Sequence, residues 1–436
     1  MKRSKTYRAK SVKQVECQEV VQGRGRQAVQ VGLDIGKRSV LAVVRWKDGT
    51  FERPWLVKNP EELGAFVGLL RAIRRGRPLR VAMEPTGTYG DALRQALFDA
   101  GIRVERVSPK VAHDYAEVFD GVPSQFDGKD AGVVAELSAL GKSREWTYEE
   151  PSQVDQELGY WVDWMDAQRR QAVMWQGRLE ALLARHWPEA TRCMKVSSVT
   201  LMSILEQYGG PQALAQDPQA TARVARWGGH YLSAEKIRRL LASARETVGV
   251  RQGVVDRQRM RQYAGQALAA RREVRRGKCR LATLAQANAV LQAQAPVVGL
   301  ATACVLWVYV GDPREYFCAA AYRKAMGLNL TEYSSGDYQG RLRISKRGAP
   351  AVRRWLYLAA LRWIRSGPTK RWYLGKRARD GEATAKRAVM GVMRKLAKGL
   401  HWVGTTGESF QPERLFARQS SPGSKPARRS PVRSNG

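Results

Sequence analysis

Cysteine is scarce in this 436-residue chain: the five present (Cys17, Cys193, Cys279, Cys304, Cys318) are scattered, with no C-x-x-C spacing. That excludes a disulfide framework and a structural zinc site, and it fits a reducing compartment. Histidine is rarer still, with four isolated residues, so a His-based metal centre is not expected. Long apolar runs are also missing. The uncharged stretch Leu281–Gly311 is rich in Gln and Asn in its first half, and its apolar part, Ala295–Val310, contains Pro296 and Gly299. It falls short of the ~20 residues a membrane span requires and reads as a buried core helix. The N-terminus is basic but lacks an apolar h-region, so no secretory signal is expected. The expected setting is the cytoplasm, with no membrane partner.

Negative charge is the other shortage. Asp and Glu total 40 against 75 Lys and Arg, a formal net charge of +35. A surface that basic repels itself unless it lies against a polyanion, and nucleic acid is the usual one. Apolar residues make up 44% of the chain, enough for two or three folded domains.

Residues 1–28 read as a basic arm (Lys2, Arg3, Lys5, Arg8, Lys10, Lys13, Arg24, Arg26) in which Gly23 and Gly25 break any helix. Residues 29–148 alternate strand and helix signals. The β-branched runs 28–34 and 40–46 predict a hairpin, 60–75 an amphipathic helix, 79–84 a strand, 90–100 a helix and 103–107 a strand. Two hairpin strands followed by strand–helix repeats predict an α/β domain with a mixed sheet. Residues 149–290 turn helical. Leu158, Trp161, Met165, Ala172, Trp175, Leu179 and Leu182 recur at coiled-coil spacing, a stripe that packs within one chain or pairs subunits. The basic run Ala270–Arg280 is too charged for a core and reads as a solvated or phosphate-facing helix. Residues 291–410 predict a compact helical domain. The tail 411–436 is basic and Pro/Ser-rich, and is expected to be disordered. The fold class is therefore α/β plus all-α: a mixed-sheet domain, a helical coiled-coil linker and a helical C-terminal domain.

Four acidic residues stand out. Asp34 closes the first strand in VGLDIGK, and Glu84 closes a later one in VAMEPTG. Strand ends followed by turns are where functional groups converge in an open sheet. Asp127 and Asp130, in FDGKDA, are spaced i, i+3 at a helix start and share one helical face. If all four converge they repel unless a cation holds them, and two Mg²⁺ ions suit oxygen ligands and phosphate chemistry. Singly, each is an ordinary turn former or helix-dipole partner.

VGLDIGK, AMEPTGTYGDAL, VSPKVAHDYAEVF and FDGKDA, in that order, resemble the N-terminal domain of the DEDD transposases of the insertion-sequence one-ten family. The resemblance implies an RNase H-like (RuvC-like) fold, with Asp34, Glu84, Asp127 and Asp130 as the metal-binding catalytic carboxylates. Where the family usually has Lys-Thr/Ser before the pair, this chain has Gln125 and Phe126. A second stretch, PVVGLATACVLWVYVGDPREYFCAAAYRKAMGL followed by SSG and ISKRG, is similar to the family's C-terminal transposase domain. The family's usual proline after Gly-Leu is replaced by Asn329. There the serine before the glycine is the nucleophile, which corresponds to Ser335. By itself Ser-Ser-Gly is a turn.

The resemblance further implies a recombinase that cuts and rejoins donor and target double-stranded DNA, guided by a structured bridge RNA and acting as a dimer or tetramer. Arg343, Lys346 and Arg347 are candidate nucleic-acid contacts, or a solvated turn. The alternative is a hydrolytic RuvC-like Holliday-junction nuclease that uses the carboxylates without a covalent serine intermediate. GLDIGK also resembles the phosphate loop of sugar-kinase or actin-like ATPases, but no second phosphate loop or adenosine-type Gly-rich segment accompanies it. A non-catalytic RNA-binding protein is the remaining reading.

Overall fold

The structure is a computed structural model that describes residues 9–85, 87–121, 127–146, 151–332, 334–335, 338–340, 342–381 and 384–416. It divides into two compact units, residues 1–150 and 151–436.

The first unit is built on β-branched runs that pair as extended strands. A seven-stranded sheet runs β1 (Lys10–Ser11), β4 (Trp55–Lys58), β3 (Ser39–Trp46), β2 (Val29–Ile35), β5 (Leu79–Met83), β6 (Arg103–Arg106), β7 (Arg144–Glu145) across its width. The β2–β3 and β3–β4 pairs are antiparallel, and β5 and β6 then add in parallel. The predicted hairpin and mixed sheet are therefore present.

The arm expected at residues 1–28 is instead partly built into this sheet. Lys10–Ser11 pairs with β4, α1 (Cys17–Val21) packs beside α2 (Leu63–Arg74), and Val12 and Val20 are buried. Arg24 is pinned by Asp48 and Glu52 at 3.1 and 3.0 Å. The charge pattern outweighs the apolar Val12 and Val20 in a reading by composition, but burial decides where the backbone goes.

Strand alternation sorts side chains onto two faces. Val29, Val31, Leu33, Val81 and Met83 point into one core, together with Phe66, Leu70 and Ile73 of α2 and Leu93 and Leu97 of α3 (Asp91–Asp99). The opposite face is covered by α4 (Pro109–Asp120) and α5 (Asp127–Ala139), where Ala82 meets Ala112, Ala116, Val133, Val134 and Leu137. Gly32, on that second face, is what lets α5 lie directly on β2. A Cβ there would collide with the Ala131 carbonyl oxygen and the Ala135 amide. We expect Gly32→Val to force α5 off the sheet at a cost of about 3 kcal/mol or more, lowering Tm by roughly 6–12 °C in a thermal melt.

In the second unit, α6 (Gln153–His186) and α12 (Val254–Leu284) pair antiparallel. Trp164 donates to Glu273 at 3.0 Å, Arg280 meets Glu157 at 2.6 Å, and Gly277 sits against Met165. The stripe predicted for residues 158–182 thus packs within the chain. Between the paired helices in sequence, a lobe of α7 (Ala190–Cys193), α8 (Val199–Tyr208), α9 (Pro211–Gln216), α10 (Ala220–Gly228) and α11 (Ala234–Arg245) packs Leu201, Leu205, Val224 and Leu240 into a core shared with Leu179 and Leu183 of α6 and Met260 and Ala264 of α12.

The C-terminal helices are α13 (Ala289–Val298), α14 (Leu300–Val310), α15 (Ala319–Ala325), α16 (Pro350–Trp363), α17 (Gly367–Asp380), α18 (Ala385–Thr406) and α19 (Pro412–Phe416). They share a core with Leu158, Val162 and Met165 of α6. The single core helix expected within 281–311 is two, because Gly299 at φ 84° turns the chain between α13 and α14. No described helix is long and apolar enough to cross a membrane. The tail expected to be disordered from 411 begins as α19, with Phe416 buried and packed edge-on to Trp372. Residues 417–436 lie outside the described residues.

Candidate active site

Asp34 and Glu84 stand side by side through sheet register. The parallel ladder of β2 and β5 ends at Leu33 opposite Met83, so the next residue on each strand is a carboxylate. Leu33 and Met83 point into the α2/α3 core. Alternation therefore turns Asp34 and Glu84 to the other face, the one covered by α5. There Asp130 precedes Ala131, whose carbonyl lies against Gly32.

The electrostatics agree with this placement. Burial raises the Glu84 carboxyl above its ordinary value, and the negative charges of Asp34 and Asp130 raise it further. All three side chains are partly exposed, open to a substrate. Asp127 begins α5, one helical turn before Asp130, but its side chain lies outside the described residues.

Several contacts hold α5 in this position. Arg45 on β3 forms a two-pronged ion pair with Glu136. Farther along, Ser138 donates to the buried Glu105 of β6 at 2.7 Å. At its start, Lys129 is 1% exposed and meets Asp120 at the end of α4 at 2.5 Å. A charge so deeply buried must be paired, since an uncompensated one costs about 3–5 kcal/mol. Neither Gly32 nor Lys129 has a role legible in the sequence motifs. A glycine in a strand interior was the one available signal for close backbone approach.

Among the described residues no three His, Cys, Asp or Glu side chains are gathered tightly enough to enclose a metal. The donor chemistry nonetheless fits a hard divalent cation: three carboxylates turn toward one edge of the sheet, near enough that Asp34 and Asp130 add to the effect of burial in raising the Glu84 carboxyl. Asp34, Glu84 and Asp130, with Asp127 beside them in sequence, are the residues that would hold it.

The serine segment lies in the second unit. β8 (Leu330–Thr331) pairs antiparallel with β11 (Arg343–Ile344), and inside it β9 (Ser334–Ser335) pairs with β10 (Tyr338–Gln339). Ser335 is opposite Tyr338, the last pair before the connection, so the hairpin carries it at its tip. The Ser335 side chain lies outside the described residues.

The base of this hairpin is firmly anchored. Arg394 donates to the Leu328 carbonyl at 2.6 Å and Arg353 to that of Gly348 at 2.8 Å. Lys346 takes a left-handed φ of 55° while its amide donates to Gly327 at 3.1 Å. A Cβ on Gly327 would press on the Arg347 carbonyl and the Arg353 guanidinium, both at 2.6 Å. Arg343, Lys346 and Arg347 are exposed on this turn. Lys346 holds a conformation that is costly for a residue with a side chain, and such outliers concentrate at functional turns.

Comparison with known proteins covers both regions. Residues 31–188 match a family model described as a transposase, the DEDD type of the IS110 group. Residues 291–374 match a second, described as the IS116/IS110/IS902 transposase family. The first contains most of the sheet domain, with its carboxylates, and the second contains the serine hairpin. These matches define a transposase. More particularly, the chain belongs to the IS110 family of insertion-element transposases. It is 25% identical over 295 residues to the insertion element IS110 uncharacterized 43.6 kDa protein of Streptomyces coelicolor, covering 65% of this chain and 71% of that one.

Proposed function

We propose that this transposase is an RNA-guided recombinase in which Ser335 is the nucleophile and the carboxylates of the first unit work with bound Mg²⁺. The observation that carries the reading is that Asp34 and Glu84 leave adjacent strands side by side, with Asp130 near enough to act on Glu84. The order β4–β3–β2–β5–β6, with three antiparallel strands followed by two parallel ones, supports an RNase H-like domain.

When bound, two Mg²⁺ ions would neutralise the scissile phosphate and stabilise charge on the attacking and departing oxygens. The chain's own residues do the rest. Asp34, Glu84, Asp127 and Asp130 would hold the ions. The Ser335 hydroxyl gives its proton to solvent water and its oxygen bonds to a DNA phosphorus, while the bond from that phosphorus to the departing deoxyribose oxygen breaks and that oxygen takes up a proton from water. The phosphoserine keeps the bond energy, so the hydroxyl of another strand can attack it, release Ser335 and seal the exchange. Arg343, Lys346 and Arg347 face the DNA backbone. Guidance by a structured bridge RNA leaves the protein reading backbone and helix shape, which suits a charge of +35 shared between two polyanions. Donor and target duplexes are then held in a dimer or tetramer.

The test uses the wild-type protein purified under native conditions. The RNA that co-purifies is sequenced, and the protein is incubated with a DNA duplex matching that RNA, with Mg²⁺. A protein–DNA adduct that survives denaturation and maps to Ser335 is the expected result. Cleavage without any adduct would instead favour the hydrolytic nuclease.

A further inference from the structure

The lobe of residues 190–245 lies between the two stretches matched by the transposase family models. Its charge is uneven. From Pro218 to Arg245 the chain carries six basic side chains and one acidic, Glu235. Arg223 is held by Asp217 at 3.2 Å. Arg226, Lys236, Arg238 and Arg239 are all exposed, and none has an ion pair among the described residues.

These cations flank, along the chain, the turn that joins α10 to α11. The turn is anchored from beneath: Thr200 donates to the Trp227 carbonyl at 3.3 Å, and the Trp227 ring packs edge-on against Tyr208 at 6.2 Å. Gly229 lies at its outer edge with φ 56° and no heavy atom within 4 Å of where a Cβ would stand, so the backbone there is bare. Next to it His230 and Tyr231 lie with ring centroids 3.8 Å apart, and Tyr231 is 86% exposed.

Solvated arginines alone are common, and so is one exposed aromatic ring. A rigid turn that displays two adjacent rings among unpaired cations matches the needs of one ligand class, nucleotides with accessible base faces. A duplex hides those faces inside its stack and would leave Tyr231 unused.

We propose that this turn and the first turns of α11 form a docking surface for an unpaired stretch of RNA. Tyr231 and His230 stack on bases, while Arg226, Lys236 and Arg239 neutralise phosphates. Lys236 and Arg239, at i, i+3, share a helical face. The surface extends the RNA-guided reading above by naming where a single-stranded loop of that RNA is held, and it depends on that reading.

The experiment is ultraviolet crosslinking of a short oligouridine to the full-length protein, with adducts mapped by peptide mass spectrometry and affinity followed by fluorescence anisotropy. The adduct is expected within Trp227–Lys236. Tyr231→Ala should remove it and weaken oligouridine binding about fivefold or more, with Tyr231→Phe restoring both. Changing both Arg226 and Arg239 to Ala should reduce the slope of log affinity against log salt by about 1.4, or ~0.7 per lost phosphate contact. Tyr231 is on the surface, so these variants keep the lobe core. Adducts mapping elsewhere, or equal affinity of Tyr231→Ala and wild type, would overturn the surface and leave RNA guidance standing. A turn that crosslinks to duplex DNA in preference to oligouridine would overturn it as well. A wild-type protein that binds no RNA at all would remove both.

Discussion

Glu84→Gln is expected to abolish DNA strand cleavage while making the metal-free protein more stable at neutral pH. Both effects follow from its neighbours. Glu84 is half-buried at the end of β5, and burial, then Asp34 and Asp130, raise its pKa above the ordinary carboxyl value of 4.5. A carboxyl whose pKa is raised by folding contributes stability that is fully present below its unfolded pKa. That contribution is lost as pH rises through the folded value, because the native state must then hold an ionised group it disfavours. Above that window the wild-type site carries three clustered negative charges, and Gln removes one without changing the side-chain shape.

Melts in chelator from pH 4 upward should therefore show wild type and variant nearly alike at the acid end, with the variant higher at neutral pH. Added Mg²⁺ should raise the Tm of the wild type by binding only the native state, and raise that of the variant much less. Cleavage should fall at least about a thousandfold, since the positioned ions supply several kcal/mol of transition-state stabilisation. A variant that melts lower than wild type in chelator at pH 7, or that keeps its full response to Mg²⁺, would show that the three carboxylates are not one site.

The second large effect is expected at Ser335. Ser335→Ala should lose every covalent protein–DNA adduct and all strand rejoining, yet keep the Mg²⁺-induced rise in Tm, because the carboxylates lie in the other unit. The two phenotypes separate the roles. Loss of the carboxylate removes cleavage and the metal response together, whereas loss of the hydroxyl removes cleavage alone. If Ser335→Ala continues to nick DNA in Mg²⁺, water is the nucleophile and the protein acts as a nuclease. The anchoring of the hairpin by Arg353 and Arg394 predicts that the substitution leaves the fold unchanged, because it touches neither support.

Much of the fold is legible from local pattern. Period-two runs place β2, β3 and β5, and the 3-4 spacing of Leu158, Trp161 and Met165 places the long helix α6. The candidate site is legible only as separate residues. Asp34 and Glu84 are 50 positions apart, and what makes them neighbours is a parallel register that no local window contains. The arm at residues 1–28 is misjudged for a related reason. Its charges dominate the composition, while the buried Val12 and Val20 and the pairing of Lys10–Ser11 with β4 depend on partners far along the chain.

The amino-acid sequence alone determined which chemistry is available: hard oxygen ligands without clustered histidines or thiols, a serine in a turn, and a charge that demands a polyanion. It also determined the alternation that turns Asp34 and Glu84 to one face, since side-chain direction along a strand is a local property. Only the tertiary structure decided that α5 lies on that face, close enough for Asp130 to act on Glu84. That closeness requires the bare backbone of Gly32 against Ala131 and Ala135, the Arg45–Glu136 and Lys129–Asp120 pairs, and the hydrogen bond from Ser138 to Glu105. Each of these is a contact between segments whose separation in sequence carries no information about their distance in space.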